Sequence, residues 1–247
     1  MDFTSFDGTR LHVTNMGAGP TLVLLHGLFS SAETNWIRYG TARGLVEAGY
    51  RLVMPDFRGH GLSDTPTAAE AWPADVLAMD IEALIAGLGL GGDYVLGGYS
   101  LGARTVIRLL ARGARPRAAI VAGMGLKGIV DGADRGKWFI RMIEGRGSWE
   151  RGTGEFVAEA FMKASVKDPD AIIHLLRSQQ STAAEVLGGF DMPILLPCGV
   201  DDQDNGSARE LASVLPNATY AEIPGNHMAS VTKPELAQVM IDWLKTL

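Results

Sequence analysis

The chain has 247 residues, 47% of them hydrophobic and 20% charged, a balance that fits one α/β domain with a sizeable core and excludes a disordered chain. The formal net charge is −6, with Lys and Arg scattered singly and in pairs. Neither nucleic acid nor an anionic membrane is therefore an expected partner, since each needs a basic surface.

Met1-Asp2-Phe3-Thr4 shows neither a basic nor an apolar leader pattern, and no run along the chain reaches membrane-spanning length, so a cytoplasmic protein is expected. Residues 3–6 and 10–14 read as a hairpin about the Asp7-Gly8 turn. Residues 21–25, Thr-Leu-Val-Leu-Leu, form a continuous apolar run typical of a strand buried on both faces. The pattern then predicts a helix over 36–48, a strand over 50–54, and a helix over 75–88 with Val76, Met79, Ala83 and Leu84 along one side. A strand at 93–97, a helix at 101–112 and a strand at 118–122 follow. Later come strands at 193–198 and 219–223, then a closing helix from Pro234 with Leu236, Val239, Met240 and Trp243 on its inner face. Cys198, the sole cysteine, falls in the first of these strands, where apolar burial hides a thiol and raises its pKa; no internal disulfide can form. Strands alternating with helices imply parallel crossovers and a sheet covered on both faces, with ligands outside the carboxyl ends of the strands.

One interval breaks this rhythm. A crossover needs far fewer residues than separate 122 from 193, and the interval carries three apolar stripes at helical spacing. They are Trp138, Phe139, Met142 and Ile143; then Phe156, Val157, Ala160 and Phe161; then Ile172, Ile173, Leu175 and Leu176. Residues 126–190 are read as a small helical cap inserted into a core of residues 1–125 and 191–247, with part of each stripe packing as core. Phe29, Trp138 and Phe161 are the expected lining of a substrate pocket.

The most informative stretch is Gly98-Tyr99-Ser100-Leu101-Gly102, at the junction of a buried strand and a helix. Such a junction needs a very sharp turn, and glycines two places either side of Ser100 remove Cβ atoms that would clash there. Ser100 is left at a strand end beside the first helical N–H groups, a place either for a nucleophile or for a helix cap. A serine nucleophile needs a base and an orienting carboxylate. Of five histidines, His12 lies in the hairpin, His60 in a glycine-flanked turn and His174 on a cap helix, while His26 precedes Gly27, where its backbone matters more than its ring. His227, in Pro224-Gly225-Asn226-His227, is the one placed to swing over the strand ends. Asp201, Asp202 and Asp204 follow the strand containing Cys198 and supply the candidate carboxylates.

These motifs, in this order along all 247 residues, resemble the α/β-hydrolase superfamily and its serine-nucleophile, esterase-like branch. The resemblance rests on His26-Gly27, Asp56-Phe57-Arg58-Gly59-His60-Gly61, the serine elbow and the terminal Pro-Gly-Asn-His. It implies a mostly parallel, doubly covered sheet with a helical cap before the penultimate strand. It also implies that the acid stands three residues after Gly199, at Asp202, with Asp204 and then Asp201 as alternatives. Backbone N–H groups of Leu28 and Leu101 would form the oxyanion hole, although the His-Gly-Gly-Gly form of lipase-type esterases is absent.

The implied function is hydrolysis of a small-molecule carboxylic ester through an acyl-serine, with Ser100, Asp202 and His227 as catalytic residues and no metal or organic cofactor. A serine at the elbow counts against the dehalogenase and epoxide hydrolase branches, whose elbow carries an aspartate. Carbon–carbon bond hydrolysis in aromatic ring cleavage, perhydrolase or acyltransferase chemistry, and a slow-turnover small-molecule receptor are the alternatives on the same fold.

Overall fold

A computed structural model describes residues 1–247, apart from the side chains of Ala133 and Asp134, which fall within the 126–190 interval. Eight strands form one sheet in the order β1-β2-β4-β3-β5-β6-β7-β8. β1 (Asp2–Thr4) and β2 (Arg10–Met16) are the opening hairpin, and β2 runs antiparallel to β4 (Arg51–Pro55). From β4 onward every pairing is parallel: β3 (Thr21–Leu25), β5 (Tyr94–Tyr99), β6 (Ala118–Ala122), β7 (Ile194–Gly199) and β8 (Ala218–Ile223).

Side-chain alternation along the strands feeds two cores. In β3, Leu22 and Leu24 join one cluster and Val23 and Leu25 the other, and β4 and β6 divide the same way. The first cluster holds Trp36, Leu45 of α1 (Thr41–Glu47), and Leu236, Met240 and Trp243 of the closing helix Pro234–Leu244. The second holds Ile81 and Leu84 of α2 (Val76–Gly87) and Val106, Leu109 and Leu110 of α3 (Leu101–Ala111). A two-faced sheet needs strands without a polar side, which is why β3, β4 and β6 are apolar beyond Thr21 and Arg51 at their first positions. Arg58, fully buried, donates to Asp80 of α2 at 2.6 Å and to Asp7 in the hairpin turn at 2.9 Å, pinning the hairpin to the second core.

The helix expected over 36–48 is two pieces. Glu33–Ile37 winds as a π turn, and α1 starts only at Thr41, because Gly40 takes a left-handed φ of 89° that stops one helix before the next.

Between β6 and β7 lie α4 (Leu126–Val130), α5 (Gly132–Glu144), α6 (Gly154–Ser165), α7 (Pro169–Ser178) and α8 (Ala184–Leu187). The three apolar stripes fare differently. All four residues of the α7 stripe are buried in the second core. On α5, Met142 and Ile143 are buried, while Trp138 and Phe139 are half-buried at a cavity. On α6 the stripe is split: Phe156, Val157 and Ala160 are exposed, Phe161 is half-buried at the cavity, and the buried positions are Glu159 and Met162. Among the described residues, no helix is long and apolar enough to cross a membrane.

Candidate active site

β3 sits between β4 and β5, so successive crossovers leave it in opposite directions and a crevice opens at its carboxyl end. Residues 26–29 leave β3 there and Ser100 leaves β5 beside them, with Leu25 and Gly98 paired as neighbours. The direct passage from β5 into α3 forces Ser100 to φ 54° and ψ −111°, a conformation that is costly for a residue with a side chain. Backbone crowding explains both flanking glycines. A Cβ on Gly98 would stand 2.3 Å from the Gly102 carbonyl carbon, and one on Gly102 would stand 2.2 Å from the Leu25 carbonyl oxygen.

His227 opens a four-residue helix (His227–Ser230), whose N-terminus is capped by Asn226 Oδ1 accepting from the Ala229 N–H at 3.0 Å. Its Nδ1–H donates to Asp202 Oδ2 at 2.8 Å, and its Nε2 lies 2.9 Å from Ser100 Oγ, which donates to it. Of the three candidate aspartates, Asp202 is therefore the one at the imidazole. Asp201 is exposed, and Asp204 is exposed with its N–H donating to Asp202 Oδ1 at 3.1 Å. The loop that carries Asp202 is tied to the histidine turn by the Asp201 N–H, which donates to the Gly225 carbonyl at 3.1 Å.

Burial alone would raise the Asp202 carboxyl pKa, but the His227 ring, its charge and the Asp204 N–H outweigh burial and hold it below the usual carboxylate value. Cys198 is pushed up to about 12, chiefly by burial and then by the Asp202 charge, so its thiol stays protonated.

The N–H groups of Gly27 and Phe29 are taken by Asn35 Oδ1 at 2.9 Å and His60 Nε2 at 3.2 Å. The Leu28 N–H between them, and the Leu101 N–H at the start of α3, meet no acceptor among the described residues. Phe29 itself takes φ 55°, a strained value for a bulky residue, and packs edge-on against Phe139 at 5.5 Å. Ser100 and His227 open into a cavity of about 800 Å³ lined by Phe29, Trp138 and Phe161, with Tyr39, Phe139 and Met228. Among the described residues, no cluster of three or more His, Cys, Asp or Glu is placed to hold a metal ion.

Three contributors escape sequence reasoning. Tyr99 sits inside the elbow, and its hydroxyl donates to the His227 carbonyl at 2.6 Å while lying 2.8 Å from Ser230 Oγ, which fixes the histidine turn from beneath. Nothing in a buried tyrosine's position within Gly-x-Ser shows that its hydroxyl has a distant partner. Asn35 holds the loop of Leu28 from a stretch adjoining the expected helix. His26 uses its ring as well as its backbone, since its Nε2 accepts from the Phe57 N–H at 3.0 Å and joins the loop after β3 to the loop after β4.

A family model described as alpha/beta hydrolase fold matches residues 20–128. Over 85 residues the chain is 41% identical to the "AB hydrolase superfamily protein YfhM" of Bacillus subtilis, covering 34% of this chain and 29% of that protein. Over 97 residues it is 36% identical to an epoxide hydrolase of Caballeronia sordidicola, covering 39% of this chain and 28% of that protein. The chain thus matches less than a third of the length of these curated relatives. The solved esterase from Exiguobacterium antarcticum superposes over 99% of this chain and 98% of its own, with a TM-score of 0.79 at 20% identity, a likeness of fold. Residues 20–128 thus match the alpha/beta hydrolase family model, and the strand order and serine elbow give the whole chain the α/β-hydrolase fold.

Proposed function

We propose that the protein is a serine hydrolase that cleaves a small-molecule carboxylic ester through an acyl-serine intermediate. The observation that carries this reading is the continuous chain from Ser100 Oγ to His227 Nε2 at 2.9 Å and from His227 Nδ1 to Asp202 Oδ2 at 2.8 Å. His227 takes the Ser100 proton as Oγ attacks the ester carbonyl carbon, and Asp202 stabilises the imidazolium that forms. The carbonyl oxygen gains negative charge and is met by the N–H groups of Leu28 and Leu101, each donor being worth about 3 kcal/mol in acyl transfer. When the tetrahedral adduct collapses, the C–O bond to the alcohol breaks and His227 protonates the departing alkoxide. Water, deprotonated by His227, then attacks the acyl carbon, the acid leaves, and Oγ recovers its proton.

The curated relatives include epoxide hydrolases, so the elbow residue is the discriminating feature. A carboxylate opening an epoxide forms an ester that water can cleave. Ser100 opening the same ring would form an ether, which water does not cleave under these conditions, and turnover would stop. Serine therefore favours acyl substrates, and the cavity above it, walled by the helices of residues 126–190 acting as a cap, accommodates the acyl group. Ser100→Ala is expected to lower turnover of p-nitrophenyl acetate by three or more orders of magnitude, about 4 kcal/mol of transition-state stabilisation. Near-parental activity in that variant, or failure of mass spectrometry to find the acyl group on Ser100 in the parent, would overturn the reading.

A further inference from the structure

The wall of the cavity is fastened to the loop that carries Asp202. Arg135, in the first turn of α5, donates through Nη1 to the Asp204 carbonyl oxygen at 2.7 Å and through Nη2 to Asp204 Oδ2 at 2.8 Å. Asp204 in turn donates its N–H to Asp202 Oδ1 at 3.1 Å, so this residue is gripped from α5 on one side and grips the acid on the other. The same guanidinium lies over the Phe139 ring, 5.3 Å from its centroid, and that ring packs edge-on against Phe29, the residue after Leu28. One side chain from the cavity wall therefore reaches toward both loops that flank Ser100.

We propose that Arg135 is a positioning residue for the esterase reaction inferred above, on which this proposal rests. It holds Asp204, and through the Asp204 N–H it holds the Asp202 carboxylate in register with the His227 ring. The pair is partly exposed, 32% at Arg135 and 45% at Asp204, so its contribution to global stability is small. Its contribution to rate is not bounded by that, because a displacement of about 1 Å at a catalytic group can cost on the order of a hundredfold. Asp204, an alternative for the catalytic acid on sequence grounds, thus receives a different role: it carries the restraint from α5 to the acid.

The test compares Arg135→Ala, Arg135→Lys, Asp204→Ala and the double alanine variant on p-nitrophenyl acetate, a substrate too small to depend on the aromatic wall. Arg146→Ala is the control, since Arg146 pairs with Asp170 at 3.1 Å in another exposed ion pair of the same helical segment. Arg135→Ala and Asp204→Ala are each expected to lower kcat about tenfold with KM within twofold. The double variant should be no slower than the slower single one, and Arg135→Lys, which keeps a cation within reach of Asp204, should regain most of the loss. Arg146→Ala should match the parent. If Arg135→Ala folds poorly, Asp204→Asn, which weakens the same ion pair, reads the kcat loss in a protein that keeps Arg135 and the wall intact. An unchanged kcat in folded Arg135→Ala and Asp204→Ala, or losses that multiply in the double variant, would overturn the proposal. Ser100→Ala separates the two levels: if it stays active the esterase reading fails, and if it is inactive while Arg135→Ala is as fast as the parent only the positioning role fails.

Discussion

Asp202 is nearly sealed, with a side-chain exposure of 2%, and its two oxygens serve different partners: Oδ2 takes the His227 ring and Oδ1 takes the Asp204 N–H. Replacing it with Asn keeps the shape but lets the amide donate to Nδ1, which selects the imidazole tautomer that cannot accept the Ser100 proton. Asp202→Asn is therefore expected to lower kcat by on the order of 10³- to 10⁴-fold, whereas Asp201→Asn, an exposed neighbour, should leave it within twofold. Steady-state kinetics on one chromogenic ester decides between them. Ser100 between crowded glycines and His227 after Pro-Gly-Asn were legible from their places after strand ends, whereas the three aspartates after Gly199 stayed open and only the family resemblance pointed to Asp202. Tyr99 and Arg135 were not, because each acts through a partner far away in the chain, and Asn35, eight residues from Gly27, was not because no periodic pattern records a side chain folding back onto a loop N–H.

At the scale of elements, strands were legible almost to the residue, since a doubly buried strand must be apolar at every position and turn residues bound it. Helices between β6 and β7 were legible as helices but not in their orientation. Periodicity shows that a stripe exists, and only packing decides whether it meets the core, as on α7, or lies at the cavity and the surface, as on α6. α5 divides its stripe, and that gives a contrast within one helix. Trp138 lines the cavity, so Trp138→Ala is expected to change the ratio of kcat/KM between octanoyl and acetyl esters by tenfold or more, within the roughly 1–3 kcal/mol available to an apolar pocket contact. Met142, fully buried four residues on, should act on stability: Met142→Ala costs about 2–5 kcal/mol by thermal or urea unfolding and leaves that ratio unchanged. A chain-length series run beside unfolding curves for both variants checks the division.

Across the whole molecule, two buried histidines make stability depend on pH well above the carboxylate range. His26 accepts the Phe57 N–H and His60 accepts the Phe29 N–H, each through Nε2, so each ring must stay neutral to keep its bond. Burial pushes His26 down to about 4, and burial followed by the neighbouring His26 pushes His60 down to about 3. Unfolded, both would titrate near 6.5, so between about 4 and 6.5 the unfolded chain binds more protons than the folded one. Stability conferred by the neutral rings is thus complete above 6.5 and declines as pH falls toward 4. The urea midpoint of the parent should drop steadily over that window, and His26→Gln, weaker at pH 7, should show a shallower slope; equal slopes would refute this account.

The strand order of the sheet also sets when the proposed triad is assembled. Ser100 and the loop of Leu28 stand on interior strands β5 and β3, while Asp202 and His227 follow β7 and β8, which are the last strands in sequence and form one margin of the sheet. On the proposed roles, a nascent chain that has emerged through β6, about half of the 247 residues, holds Ser100 but neither His227 nor Asp202, so its serine has no base to activate it. If the proposed ester hydrolysis holds, acylation of Ser100 becomes possible only once β7 and β8 have docked and brought Asp202 and His227 to it.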